Sequence, residues 1–242
     1  MKLFLAGERT VKNEYSNGVY ILESYYYCKK NKHFPTMLKA SKEFLLDSGA
    51  YTYMSGGGAK VNFEKYVCEL AEFINHYKIN LFFEMDIDQL VGIKEVERLR
   101  TILETRTGKQ CIPVWHKSRG LDYFKKMVAD YKYIAIGGIV TKEIKGSEHP
   151  IFTNLINLAH SKGCKIHGLG YTNLKGLAKY HWDTVDSTTW LYGNKSGKIF
   201  KFDGTTIKII DKPKGTRLHS KAAEINNFNE WVKFQQYAEH NL

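Results

Sequence analysis

Short apolar runs rich in β-branched and aromatic residues alternate along the chain with longer stretches in which apolar residues return every three or four positions. The short runs are KLFLAG (2–7), VYILESYY (19–26), EFLLDSG (43–49), NLFFEMDID (80–88), CIPVWH (111–116), YIAIGG (133–138), KIHGLG (165–170) and DTVDST (183–188). Several, such as YIAIG and NLFF, do not alternate with polar residues, as in strands covered on both faces. Between them, Phe63, Tyr66, Val67, Leu70, Phe73, Ile74 and Tyr77 form one helical stripe, and Ile93, Val96, Leu99 and Leu103 form another. Leu121, Phe124, Met127, Val128 and Tyr131 repeat the period, as do Phe152, Leu155, Ile156 and Ala159, and finally Ala222, Ile225, Phe228, Trp231 and Val232. Eight strands alternating with amphipathic helices predict an α/β protein, a (β/α)8 TIM-type barrel.

Two segments break the alternation. The link from Gly7 to Val19 is too short for a full crossover helix, so the first crossover is irregular. GKIFKFDGTTIKII (197–210) places Asp203-Gly204 between alternating runs and predicts a β-hairpin inserted before the last helix. With no linker composition, low-complexity tract or internal repeat, residues 1–242 read as one domain.

Charge changes the picture of partners. The 242 residues carry 36 Lys plus Arg against 25 Asp plus Glu, a net +11, which favours a polyanion such as nucleic acid over a small neutral substrate. Cys28, Cys68, Cys111 and Cys164 are scattered without a CxxC pair, which argues against a zinc knuckle and a disulfide framework alike. No apolar run approaches the roughly 20 residues of a membrane span, and the first residues are too short for a signal-peptide core, so a cytoplasmic location is expected, the host cytoplasm if the chain is phage-encoded.

In a barrel the chemistry lies where strands end and the following loops begin. There the chain has Asp47-Ser48-Gly49, Asp86-Ile87-Asp88-Gln89, Trp115-His116, Gly137-Gly138, His167-Gly168-Leu169-Gly170 and Asp186-Ser187-Thr188. Three strands thus deliver carboxylates to one rim and two deliver bare backbone, which lets a flat ligand approach closely. An Asp after a strand also caps helices or closes turns, and His116 and His167 read as satisfied core or rim histidines. HExxH and comparable ligand spacings are absent, so no metal is expected, and no cofactor is called for. Gly56 to Gly58 lack the Lys-Ser/Thr of a phosphate loop, so SGGGAK (55–60) reads as a mobile lid.

The order of these motifs resembles that of the tRNA-guanine transglycosylase superfamily, over roughly residues 1–190. Asp47-Ser48-Gly49-Ala50-Tyr51 is similar to the family's Asp-Ser-Gly-Gly-Phe, and Met85-Asp86-Ile87-Asp88-Gln89 stands where the family has a base-recognising aspartate. Ile136-Gly137-Gly138-Ile139 resembles its Gly-Gly-Leu, His167-Gly168-Leu169-Gly170 its Met-Gly-Val-Gly, and Val185-Asp186-Ser187 its Phe-Asp-Cys. The zinc-binding CxCxxC is missing, Thr188-Thr189-Trp190 replaces Pro-Thr-Arg, and Trp115-His116 stands near a family Val-Gln-Gly. The compact, zinc-less form looks more like the DNA-guanine transglycosylases of phages and genomic islands.

That resemblance implies exchange of guanine in DNA for a 7-deazaguanine such as preQ0 or preQ1. Asp186 is then the nucleophile and Asp47 the acid/base. Asp88 receives the N1–H and 2-amino group of the base, with Asp86 as an orienter or in exchanged roles. Gly137, Gly138, Leu169 and Gly170 border the base, His116 stands beside it, and Tyr51 and Trp115 offer stacking faces. Basic residues of KGSEH (145–149), YGNKSGKIFK (192–201) and KPKGTR (212–217) would contact phosphates. A tRNA substrate, a hydrolytic nucleosidase on the same rim, and a catalytically dead binding module remain open alternatives, and the oligomeric state is not legible.

Overall fold

Alternation along the strands separates two apolar layers. The computed structural model describes residues 1–7, 18–57, 61–191, 198–211 and 219–242. Eight parallel strands lie among these residues: β1 (Lys2–Ala6), β2 (Val19–Ser24), β3 (Ser41–Asp47), β4 (Leu81–Phe82), β5 (Val114–Trp115), β6 (Tyr133–Ile136), β7 (Lys165–Gly168) and β8 (Thr184–Ser187). Phe4, Ala6, Tyr20, Leu22, Leu45, Phe83, Ile112, Val114 and Ala135 form one buried cluster. Their strand neighbours Leu3, Leu5, Ile21, Leu46, Ile134 and Val185 join a larger one with helical residues. The period of two sends the first set to the concave side of a curled sheet and the second beneath the helices.

The sheet runs β4-β3-β2-β1-β8-β7-β6-β5, a TIM-like arrangement. Its edge strands meet at a parallel bridge between Phe83 and Ile112. Ile112 N–H donates to Phe82 O at 2.8 Å and Glu84 N–H to Ile112 O at 3.1 Å. One step further the Glu84 carboxylate substitutes for a carbonyl, accepting Val114 N–H at 2.8 Å. Arg119 and Arg100 lie against that carboxylate at 2.8 and 3.4 Å, so a buried charge at the seam is compensated.

The helices follow in chain order as α1 (Tyr25–Cys28), α2 (Phe34–Ala40), α3 (Ala50–Thr52), α4 (Phe63–Tyr77), α5 (Asp88–Val91), α6 (Ile93–Thr107), α7 (Leu121–Asp130), α8 (Ile151–Ser161), α9 (Leu174–Tyr180) and α10 (Ser220–Asn241). Asn62 caps α4, its side chain accepting Lys65 N–H at 2.9 Å. The expected stripes bury, with two exceptions: Leu121 is exposed at the start of α7, and Ala222 is exposed on α10. The buried face of α10 instead includes two polar residues, Asn227 and Gln235. β1 and β2 pair only from Leu5 and Ile21 upward. Below that point the Gln235 amide bridges them, donating to Leu3 O (2.6 Å) and Tyr20 O (3.0 Å) and accepting Tyr20 N–H (3.1 Å).

The expected hairpin is present as β9 (Lys198–Phe202) and β10 (Ile207–Asp211), antiparallel, with Asp203 Oδ1 accepting Thr205 and Thr206 N–H across the turn. Asn227 fastens it to α10, accepting Phe200 N–H at 2.8 Å and donating to Lys198 O at 3.2 Å. The expected first crossover (8–17), the end of the expected glycine lid (58–60) and the basic residues of 192–197 and 212–217 lie outside the described residues. All four cysteines are free thiols. Among the described residues, no helix is long and apolar enough to cross a membrane.

Candidate functional site

The same inward parity that packs Leu45, Val114 and Thr184 carries Asp47, His116 and Asp186 to the carboxyl ends of three strands, and Asp86 arrives from the loop after β4. These four, with Gly138, Leu169, Gly170 and Tyr51, are among the residues lining a cavity of about 740 Å³ at the rim. The cavity thus gathers most of the residues expected at the site.

Asp47 ends β3 where the chain turns sharply. Gly49 takes φ +90° and donates its N–H to Asp47 Oδ2 at 3.0 Å. A Cβ there would lie 2.9 Å from the Tyr66 hydroxyl and 3.0 Å from Tyr26, so both conformation and space demand glycine. The Tyr66 hydroxyl donates to Ser48 O at 2.8 Å and braces the turn. Burial pushes the Asp47 carboxyl up to about 6, helped by repulsion from Asp86 and, more weakly, Asp186; the Ser24 hydroxyl and Gly49 N–H oppose the shift.

Asp186 is gripped from behind. Its Oδ1 accepts Gly170 N–H at 2.6 Å and lies 3.1 Å from His167 Nε2. His167 is fully buried, and its Nδ1 stands 2.6 Å from Thr184 Oγ1, which in turn bonds the Tyr133 hydroxyl. One chain of donors satisfies every partner: Tyr133 O–H to Thr184, Thr184 O–H to Nδ1, and Nε2–H to the carboxylate. His167 is thus a satisfied core histidine, as expected, and it also grips Asp186. Its partners lie on the adjacent β8, in pairing register with β7.

Asp86 belongs to a second cluster. His116 Nε2 lies 2.9 Å from Asp86 Oδ2, and Nδ1 3.2 Å from Glu143 Oε2. Burial alone would lower the His116 pKa, but the hydrogen bond and charge of Asp86, with Glu143, outweigh it and raise it to about 9, against a smaller contrary push from Arg119. The ring is thus an imidazolium at neutral pH, donating to both carboxylates. Glu143 also accepts Ser118 N–H at 2.7 Å. It escaped the sequence reading because it sits in the loop after β6, four residues beyond Ile139.

Three expected site residues stand elsewhere. Asp88 begins α5 rather than continuing a strand, so it does not share a face with Asp86. It forms a two-point ion pair with Arg119 at 2.9 and 2.6 Å and does not line the cavity. Trp115 points away from the cavity because its neighbours Val114 and His116 point in. Its indole packs on Phe124 and donates to Gly120 O at 2.8 Å, leaving no face for stacking. Gly137 does not line the cavity either; a Cβ there would meet His116 and Val114 at 2.8 Å, so its role is to admit the imidazole ring. Tyr51 is 57% exposed at the cavity mouth. Among the described residues, no three His, Cys, Asp or Glu side chains are grouped to hold a metal ion.

No protein-family model matches the chain, and no curated protein matches it. Among solved structures it is similar to the carboxyl transferase domain of Rhizobium etli pyruvate carboxylase with pyruvate (TM-score 0.45, 16% identity, covering 84% of this chain and 37% of that one). The same domain with 3-bromopyruvate gives a TM-score of 0.43, 15% identity, and coverage of 84% and 36%. The chain spans little more than a third of the length of those chains. Likeness at this level leaves the geometry of the cavity as the guide to chemistry.

Proposed function

We propose that this chain is a (β/α)8-barrel enzyme, a transglycosylase that replaces guanine in DNA with a 7-deazaguanine base through a covalent aspartyl-sugar intermediate. The observation that carries the reading is the convergence of Asp47, Asp86 and Asp186 on one cavity, one carboxyl pushed up to about 6 and another held by two donors. Two carboxyl groups in unlike environments are what a two-step glycosyl transfer requires.

Asp186 attacks C1′ of the nucleotide with Oδ2, since Oδ1 is engaged, while the bond from C1′ to the guanine N9 breaks. Asp47, carrying a proton, passes it to the departing base, which leaves neutral. The incoming deazaguanine then gives its N9 proton to the Asp47 carboxylate. Its N9 bonds C1′, the ester to Asp186 breaks, and both side chains return to their starting states. Asp86, rather than Asp88, accepts the N1–H and 2-amino group of the base, a donor pair that adenine lacks, and Gly138, Leu169 and Gly170 border the ring.

The test is incubation with DNA and with tRNA separately, in the presence of preQ0 or preQ1, followed by nucleoside mass spectrometry. Deazaguanosine in DNA, with a trapped sugar adduct on Asp186 that is absent from Asp186→Asn, is the expected result. Guanine release without incorporation would make the chain a nucleosidase, and modified tRNA would move it to the tRNA branch. No base release from either would overturn the reading.

A further inference from the structure

The run Tyr25-Tyr26-Tyr27-Cys28-Lys29-Lys30-Asn31-Lys32-His33 leaves β2 at the rim and is not used by the chemistry above. Tyr25 and Cys28 are buried, whereas Tyr27 is 36% exposed and lines the cavity, as Tyr51 does. Edge-to-face contacts run from Tyr27 to Tyr26 (5.1 Å) and from Tyr26 to Tyr53 (5.6 Å), so the two tyrosine-bearing segments form one lip. Lys29, Lys30, Lys32 and His33 are exposed beside it. The Lys30 N–H donates to Tyr27 O at 3.2 Å, one turn away. The Lys29 ammonium is steadied over the rings of Tyr25 and Tyr66, at 5.1 and 4.7 Å.

Among the described residues, no acidic side chain forms an ion pair with Lys29, Lys30 or Lys32, although Lys42, Lys117, Lys125 and Lys208 each have one. Exposed lysines and the exposed Tyr51 ring suit a partner that is both flat and anionic. A nucleic-acid strand with splayed bases supplies both features, whereas a duplex keeps its base faces stacked and hidden. We propose that residues 25–33 together with Tyr51 form a binding surface for single-stranded nucleic acid. The two tyrosines stack bases next to the reacting nucleotide and the three lysines take phosphates. This deepens the base-exchange reading and rests on it for the identity of that nucleotide.

The experiment is fluorescence anisotropy on the full chain without any free base, using one guanine-containing oligonucleotide as single-stranded DNA, as single-stranded RNA and as duplex DNA across a salt series. The single strands are expected to bind about tenfold or more tighter than the duplex. Tyr27→Ala and Tyr51→Ala should each weaken strand binding by about tenfold with the salt slope unchanged, and Tyr51→Trp should retain it. Replacing Lys29, Lys30 and Lys32 together by Ala should flatten the slope of log K against log salt by about 2, while Arg at the same positions preserves it. The DNA and RNA arms decide which strand chemistry is preferred. Duplex binding equal to or tighter than single-strand binding, or an unchanged slope in the triple variant, would overturn the proposal. Because the readout needs no turnover, strand binding without base exchange defeats the enzymatic reading alone, and exchange on duplex DNA with no strand preference defeats this surface alone.

Discussion

His167 Nε2 lies 3.1 Å from Asp186 Oδ1, joining an imidazole without solvent exposure to the carboxylate that borders the cavity. In the proposed reaction His167 is a positioning residue: it holds one oxygen so that the other is presented in a fixed direction. A hydrogen bond to a charged group is worth about 1.5–3 kcal/mol. His167→Leu should therefore slow adduct formation on Asp186 by about 10- to 100-fold, with affinity for the free base unchanged. His167→Gln, which restores an N–H donor, should recover part of the rate. Equal losses in both variants, tracking a lowered melting temperature, would reduce His167 to core packing.

Asp47 carries a cost that depends on pH. Its folded pKa of about 6 lies above the ordinary carboxylate value of 3.8, so the folded state binds a proton that the unfolded chain releases. The stability linked to Asp47 is fully present below about pH 4 and is lost as pH rises through 6. Asp47→Asn, which cannot ionise, should be more stable than the parent above pH 6 by about 3 kcal/mol, and the difference should vanish near pH 4. Chemical denaturation at a series of pH values measures it. The same variant should lose base exchange, a trade of activity for stability.

His116 has the opposite dependence. Its pKa is raised from 6.5 to about 9 by Asp86 and Glu143 against the cost of burial, so its contribution is complete below pH 6.5 and fades as pH passes 9. His116→Gln should destabilise the protein at pH 6 by about 2–3 kcal/mol, with the gap closing above pH 9. NMR titration of the imidazole in the parent should place its midpoint between pH 8 and 10. A midpoint near 6.5 would remove the imidazolium from the site.

The two aspartates of Met85-Asp86-Ile87-Asp88 separate cleanly. Asp86→Asn should abolish discrimination for guanine-type bases in competition assays, because it replaces an acceptor facing the cavity. Asp88→Asn should leave base selectivity intact and lower stability by about 1–3 kcal/mol, because it cuts the ion pair with Arg119 at the sheet's seam. The reverse pattern would return base recognition to Asp88.

The strands were legible because runs such as Tyr133-Ile134-Ala135-Ile136 are apolar on both faces, and strand ends in an α/β architecture mark where polar side chains gather. The positions of Asp47 and Asp186 at the cavity rim follow from their places at strand ends. What escaped was orientation. In Cys111-Ile112-Pro113-Val114-Trp115-His116 the apolar residues do not alternate, so nothing in the run tells which parity faces inward, and Trp115 lies against Phe124 and not in the cavity. The spacing of Asp86 and Asp88 suggested a shared face, but ladder pairing ends near Phe83 and the backbone turns into α5 at Asp88. Gln235 and Asn227 interrupt the apolar stripe of α10, and only the position of distant strand edges explains why amides are buried there. His167 was legible as a buried residue but not as a partner of Asp186, since that depends on the register of β7 against β8.

In the ladder between β1 and β8, Phe4 lies opposite Asp186. Contacts between such remote parts of a chain carry a large loop-closure cost and form late, once local structure can offset it. The Asp186 carboxylate thus reaches the cavity only when strand one and strand eight have docked. Half-folded molecules would lack the assembled cavity, so if the proposed base exchange holds, that activity and the completion of the tertiary structure should appear together in a refolding experiment.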